Sequence, residues 1–307
     1  MLFLQKKAGA TEVVKGLSKT AEAALSACTE SLSEEAEDLA VIGLGKLGGR
    51  EITFGSDLDV IFVCPDDPGQ GATRVAEKLL RMLISYTKEG VAYRIDTRLR
   101  PEGEKGVLVS SLESFEKYYA KAAAFWEFQA LLKARPVAGN IKTGLSFLEM
   151  ARGTLVSRGW GISALNIRQM RERIARELSK EAHGYDVKLG PGGIEDIEFT
   201  AQYLQLAHCR VRQELLVQGT VKALGRLGAA GLIQGEEAES MKDAYLFYRT
   251  LESFLRLRGE HILKRENERL RYAAEFLGFA QIGTFVDVFE EKRERVNKFR
   301  DRYLTGL

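Results

Sequence analysis

The chain has 307 residues, with 45 Lys and Arg against 43 Asp and Glu, so its formal net charge is +2. That length allows about two domains of ordinary size. Hydrophobic residues at 45% and charged ones at 29% exclude intrinsic disorder, and thirty glycines without a triplet period exclude a collagen-like chain.

Residues 1–38, ending in SLSEEAEDLA, carry Ala, Leu, Glu and Lys with scattered apolar positions and read as a helical lead-in. LAVIGLG is then a continuous apolar run, followed by the glycine-rich KLGGREITFGS, a second apolar run DLDVIFVC and a Pro/Asp/Gly cluster at 65–71. This order predicts strand, loop, strand and turn. Val75, Leu79, Leu83 and Tyr86 fall at helical spacing, so a crossover helix is expected over 72–89, with Gly90 as its stop. VAYRIDTRLR alternates with period two, which predicts a strand over 91–100 with Arg94, Asp96, Arg98 and Arg100 on one face. VLVSS at 107–111 is a further short strand. From 112 to about 180 the pattern is helical, interrupted at Pro136, Gly139 and 158–161. After the turn GPGGI the remainder is helical, with Phe285, Val288, Phe289, Val296, Phe299 and Tyr303 on one stripe. The expected fold class is α+β, a small mixed sheet with helices over 39–193 followed by an all-helical domain over 194–307.

The strongest chemical feature is Gly55-Ser56-Asp57-Leu58-Asp59 at the opening of a strand. Alternation places Asp57 and Asp59 on the same face, about 6 to 7 Å apart at the backbone. Two carboxylates so placed repel unless a cation lies between them, and hard divalent cations such as Mg²⁺ take oxygen ligands and retain substrate phosphates as the others. Asp96 on a later strand supplies a third carboxylate, the composition of a two-metal site for phosphoryl or nucleotidyl transfer. Arg94, Arg98 and Arg100 are there to offset the acidity or bind phosphate oxygens. Gly55 and Ser56 offer backbone N–H groups and a hydroxyl to a triphosphate. A lone D-x-D is commonly solvated surface. Here it lies between a glycine loop and VIFVC, where unpaired acids are costly.

Gly43, Gly45 and Gly48 match G-x-G-x-x-G, but REITFGSDLD follows in place of the helix that receives a pyrophosphate, so the dinucleotide reading is rejected. Lys46 is not a Walker lysine, since neither Ser nor Thr follows it and no helix is expected there; contact with phosphate and a solvated loop position remain its two readings. In GPGGIEDIEF, Asp196 and Glu198 fall in the first turn of a helix, where they either meet nucleotide or metal or simply answer the helix dipole. Cys28, Cys64 and Cys209 are too scattered for a disulfide framework or a zinc pair, and His183, His208 and His261 are isolated.

GLGKLGGREITFGSDLDVIF, RIDTRLRPEGEKGVLVSSLESFEKYY, FWEFQALLKARPVAG and VKLGPGGIEDIEFTAQYLQL together resemble the glutamine synthetase adenylyltransferase family over residues 41–206. That family is a branch of the nucleotidyltransferases, whose fold resembles the catalytic domain of DNA polymerase beta. The resemblance implies transfer of AMP from ATP to a tyrosine hydroxyl of glutamine synthetase, with two Mg²⁺ ions held by Asp57, Asp59 and Asp96. Gly45, Lys46, Gly55, Ser56, Arg98, Arg100, Asp196 and Glu198 would line the nucleotide. Members usually carry two such halves, one attaching AMP and one removing it phosphorolytically. FWEFQALLKARPVAG and DIEFTAQYLQL look more like the attaching, carboxy-terminal half. Regulation by a small nitrogen-signalling protein is implied only if the sequence is part of a longer chain. The alternatives are the removing half, a non-catalytic docking module, and a template-independent enzyme acting on RNA, against which the balanced charge and missing basic arm argue. MLFLQKKAGA is too short for a secretory signal and no apolar run approaches the about 18 residues that span a bilayer, so a cytoplasmic protein without a membrane or nucleic-acid partner is expected.

Overall fold

In a computed structural model, the structure describes residues 10–32 and 37–305. The contact pattern divides the chain into two compact units: residues 14–160, rejoined by 209–219, and residues 161–208 with 220–305 and, from the start of the described chain, 10–13. The boundary expected at 193/194 falls inside the second. Part of the expected lead-in, residues 1–9 and 33–36, lies outside the described residues; α1 spans Ala10–Glu30.

The first unit is built on a five-stranded sheet. β1 (Ala40–Gly43) pairs antiparallel with β2 (Leu58–Cys64) on one side and with β5 (Arg135–Gly139) on the other. The free edge of β2 is shared. β3 (Ile95–Asp96) runs parallel to its first two residues and β4 (Val109–Ser111) parallel to its last three. α1 and α3 (Gly69–Ile84) cover one face, where Ala21, Leu25, Val41, Leu58, Val60, Phe62, Val75, Leu79 and Leu83 form one buried cluster. α6 (Ile141–Arg158) packs against β1, β2 and β5, with α4 (Leu112–Lys121) against it. Helices on both faces explain why the two central strands read as continuous apolar runs. Ile61 and Val63 are buried on the face opposite the Val60 cluster. Asp57 and Asp59 continue that same alternation back to the strand's beginning.

Three expectations are corrected here. The strand over 91–100 shrinks to Ile95–Asp96, because β4 occupies the rest of that edge of β2 and leaves only Leu58 and Asp59 to pair. The crossover helix ends at Ile84, so Tyr86 stands in the following turn and is 86% exposed. The interruption at Pro136–Gly139 is an edge strand, whose register shift against Val41 and Ile42 accommodates the proline. In addition, a single helical turn, α2 (Gly45–Gly48), does begin in the glycine loop, contrary to the reading of Lys46.

The loop bearing α2 is fastened from behind. Lys133, at the end of α5 (Phe125–Leu132), meets Glu51 at 2.5 Å with both side chains buried. Arg135 donates to the carbonyls of Leu47 and Gly48 at 2.9 and 3.1 Å and pairs with Glu22 of α1 at 2.7 Å. A Cβ on Gly48 would lie 1.9 Å from the Lys133 carbonyl oxygen, so only glycine permits this approach.

The second unit contains α7 (Ala164–Leu178), α8 (Ile194–His208), α9 (Thr220–Ala229), α10 (Gly235–Leu257), α11 (Asn267–Leu277) and α12 (Ile282–Leu304), with an isolated bridge between Tyr185 and Leu263. The α12 stripe is realised: Phe285, Phe289, Val296 and Phe299 are buried. Phe285 and Phe289 join Phe247 and Tyr248 in an aromatic cluster. Cys64 and Cys209 are buried free thiols and Cys28 is half-buried. No described helix is long and apolar enough to cross a membrane.

Removing one partner of a buried ion pair leaves the other charge desolvated and typically costs about 3–5 kcal/mol. Lys133→Met is therefore expected to lower stability to urea by roughly that amount, and the double change with Glu51→Leu by clearly less. Equal losses in the two variants would show that the charge pairing is not what matters.

Candidate active site

Parallel pairing puts Asp59 of β2 directly opposite Asp96 of β3, so the two share a face of the sheet. Asp57 stands just before β2, its side chain 52% exposed. Like charges in register repel, and each acid is answered differently. Asp96 is gripped by Arg98, whose Nε lies 3.0 Å from both carboxylate oxygens and whose Nη2 lies 2.5 Å from Oδ2. The Arg98 backbone N–H also donates to Asp96 at 2.8 Å. These bonds hold the Asp96 carboxyl below the usual carboxylate range, against the opposing effect of its partial burial. Arg98 in turn is held in its protonated form by Asp96 first, with Glu104 and Asp59 contributing. Asp57 forms an ion pair with Arg94 at 2.8 Å.

Asp59 faces the glycine loop. A Cβ on Gly45 would lie 2.1 Å from Asp59 Oδ2, and Gly45 has φ +49°, so glycine is required there twice over. Beside it Lys46 Nζ donates to Thr53 Oγ1 at 3.2 Å. Thr53 Oγ1 lies 3.0 Å from Ser56 Oγ, which also accepts from the Thr53 N–H at 3.1 Å. Gly55, at φ +66°, has open space where a Cβ would sit. Asp57, Arg94, Asp96, Arg98, Arg100 and Glu104 line an open pocket of about 550 Å³ with Ile84, Ile95 and Thr97.

The donor set suits a hard cation: its ligating groups are carboxylate oxygens at a solvent-open strand edge, with guanidinium groups as their present counter-charges. Among the described residues, no three His, Cys, Asp or Glu side chains converge on a single point. Strand register brings Asp59 and Asp96 together, while Asp57 turns to Arg94.

Two expected nucleotide contacts are structurally committed. Arg100 spends its guanidinium on its own loop, donating to the carbonyls of Gly106, Thr97 and Glu104 and to Thr97 Oγ1 at 2.7–3.1 Å. Asp196 is fully buried in the second unit, 2.9 Å from Arg171 Nε and 3.1 Å from Arg300 Nη1, and accepts from the Gly192 N–H at 2.6 Å. The contact with Arg171 has ion-pair distance without hydrogen-bond alignment. Glu198, on the same helix, accepts from the Tyr245 hydroxyl at 2.9 Å. The sequence reading missed Glu51, Lys133 and Arg135. Their signal was available in FQALLKARPV, where two cations sit in an apolar stretch and must find buried partners.

Gly45→Ala is expected to cost about 1–2 kcal/mol for the left-handed backbone and a further penalty for displacing Asp59. Gly55→Ala should show the backbone cost alone. Urea unfolding of the two variants checks this, and equal penalties would mean that the Gly45–Asp59 approach is slack.

Comparison with known proteins places these features. A family model described as glutamate-ammonia ligase adenylyltransferase matches residues 8–150, and one described as GlnD PII-uridylyltransferase matches residues 165–304. The chain is 39% identical over 252 residues to the bifunctional glutamine synthetase adenylyltransferase/adenylyl-removing enzyme of Cutibacterium acnes, covering 78% of this chain and 26% of that protein. The enzyme of the same name from Mycolicibacterium smegmatis is 37% identical, with 83% and 27% covered, and that from Nitrosococcus oceani is 33% identical, with 94% and 33% covered. The chain thus spans about a quarter to a third of the length of these relatives. Similarity that extends through the glycine loop, the paired aspartates and most of the helical unit makes the chain a member of the glutamine synthetase adenylyltransferase family.

Proposed function

We propose that this chain carries one nucleotidyltransferase centre, on a sheet of the DNA polymerase beta type, that transfers AMP from ATP to a tyrosine hydroxyl of glutamine synthetase. The observation that carries this reading is the strand register that sets Asp59 beside Asp96, with Asp57 and Asp96 lining an open pocket rich in arginine. The family relationship supplies the reaction class, and the relatives' names supply the protein substrate.

Asp57, Asp59 and Asp96 would hold Mg²⁺, whose bound charge neutralises phosphate oxygens and favours departure of pyrophosphate. Arg98, 67% exposed at its side chain, has a guanidinium suited to triphosphate oxygens. In the Gly55–Ser56 turn the Ser56 N–H is already donated to the Thr53 carbonyl at 3.1 Å, which leaves the Gly55 N–H and the Ser56 hydroxyl for the same ligand. The tyrosine oxygen forms a bond to the α phosphorus as the bond from that phosphorus to the bridging oxygen breaks. Asp96 is a carboxylate, kept ionised further into acid by its bonds to Arg98, and can accept the hydrogen bond of the incoming hydroxyl. Gly45 leaves room for the Asp59 carboxylate, and Lys46 braces Thr53 and Ser56 behind the turn.

We assign the attaching direction on the likeness of FWEFQALLKARPVAG and DIEFTAQYLQL to the carboxy-terminal half of family enzymes. The relatives' names carry both activities, so the removing direction is the second reading. Asp57→Asn and Asp59→Asn are each expected to lower Mg²⁺-dependent labelling of glutamine synthetase by α-labelled ATP by about a hundredfold or more, with circular dichroism unchanged. Undiminished labelling would remove the metal assignment. Incubation of AMP-modified synthetase with phosphate separates the directions: ADP release without any AMP attachment would reverse the assigned polarity.

A further inference from the structure

The Gly55–Leu58 turn delivers Asp57 to the pocket, and its backbone has little reason to stay in place by itself. Gly55 sits in the left-handed region with open space around it, and Asp57 is half exposed. The Thr53–Ser56 network fastens only the entry to the turn. One residue meets the remainder at three points. Arg94 Nη2 donates to the Gly55 carbonyl at 3.2 Å, its Nε lies 2.8 Å from Asp57 Oδ1, and its own carbonyl accepts from the Leu58 N–H at 2.9 Å. Its backbone is anchored in turn, because Arg94 immediately precedes β3.

We propose that Arg94 is a positioning residue, a clamp that holds the Gly55–Leu58 turn and orients the Asp57 carboxylate so that Oδ2 is left to a divalent cation. The consequence for cation binding rests on the proposed adenylyl-transfer centre; the clamp itself does not. The Arg94 guanidinium makes its closest approach to Asp57 at Oδ1. An exposed ion pair alone is weak. What distinguishes Arg94 is that one planar guanidinium spans a carbonyl and a carboxylate two residues apart, which a lysine ammonium, as a single point charge, does not reproduce. Arg94 also acts against the cation if its only role is to neutralise Asp57, because the two positive charges then compete for the same carboxylate. The two roles predict opposite signs on removal.

The test uses the full chain with Arg94→Ala, Arg94→Lys and, as a control for loss of a nearby positive charge, Lys105→Ala. Amide hydrogen exchange at Ser56 and Leu58 reads the clamp, and Mn²⁺ binding by water-proton relaxation, with no nucleotide present, reads its consequence. Arg94→Ala is expected to speed exchange at both amides and to raise the Mn²⁺ dissociation constant, each by about fivefold. Arg94→Lys should restore part of both effects, and Lys105→Ala neither. Unchanged exchange in Arg94→Ala overturns the clamp. Faster exchange with tighter Mn²⁺ binding overturns the positioning role and leaves Arg94 as a competing counter-charge. If the wild-type chain binds no Mn²⁺ that Asp57→Asn abolishes, the proposed metal centre fails, while the exchange data still decide the clamp.

Discussion

Strand pairing and charge meet at the beginning of β2. Backbone hydrogen bonding between β2 and β3 sets Asp59 opposite Asp96, and Asp57 stands in the turn just before β2, paired with Arg94. Asp59 and Asp96 cannot separate without breaking the ladder, so their repulsion, and that of Asp57 in the adjoining turn, must be answered by counter-charge. The chain answers it with guanidinium groups placed one residue before β3, at 94, and two residues after its last, at 98. Because the groove is open, water screens part of this cost, and the counter-charges remain exchangeable. A buried version of the same cluster would demand permanent partners. In the proposed chemistry, exchangeability is what lets a metal-bound nucleotide enter.

The opposite arrangement is found behind the glycine loop. There Glu51 with Lys133, and Arg135 with the last carbonyls of α2, are buried or nearly so and pair with one another or with backbone. The loop is thus rigid at its back and accessible at its front, where Gly45 gives way to the Asp59 carboxylate. Sites that must hold charged groups in a fixed relation benefit from this division, since the supporting contacts limit rotamer freedom without occupying the ligand's space.

Asp196 shows how environment, and not residue type, sets the role of a carboxylate. It lies in a helix first turn after a glycine-rich segment, a sequence setting that resembles an anion or metal loop. Burial with Arg171, Arg300 and the Gly192 N–H commits it to the interior of the helical unit. Asp59 has the same side chain and a similar glycine neighbourhood, but it stands on a strand edge opposite Asp96.

The apolar runs around Val41 and Ile61, the short strand at Val109 and the aromatic stripe of α12 were all legible in the sequence, because each follows from the period of a single element. Four ordered motifs likewise sufficed to place the family. The tertiary structure alone decided the rest. The strand at 91–100 is cut to two residues because another segment takes the neighbouring edge of β2, and Pro136 enters a strand because β1 has an edge to offer. Arg94, Arg98 and Arg100 alternate identically along the chain, yet one straps the Asp57 turn, one grips Asp96 and one ties its own loop. Periodicity records which way a side chain leaves its own backbone, whereas the partner it reaches depends on segments far away in sequence, brought near only by the folding of the whole unit.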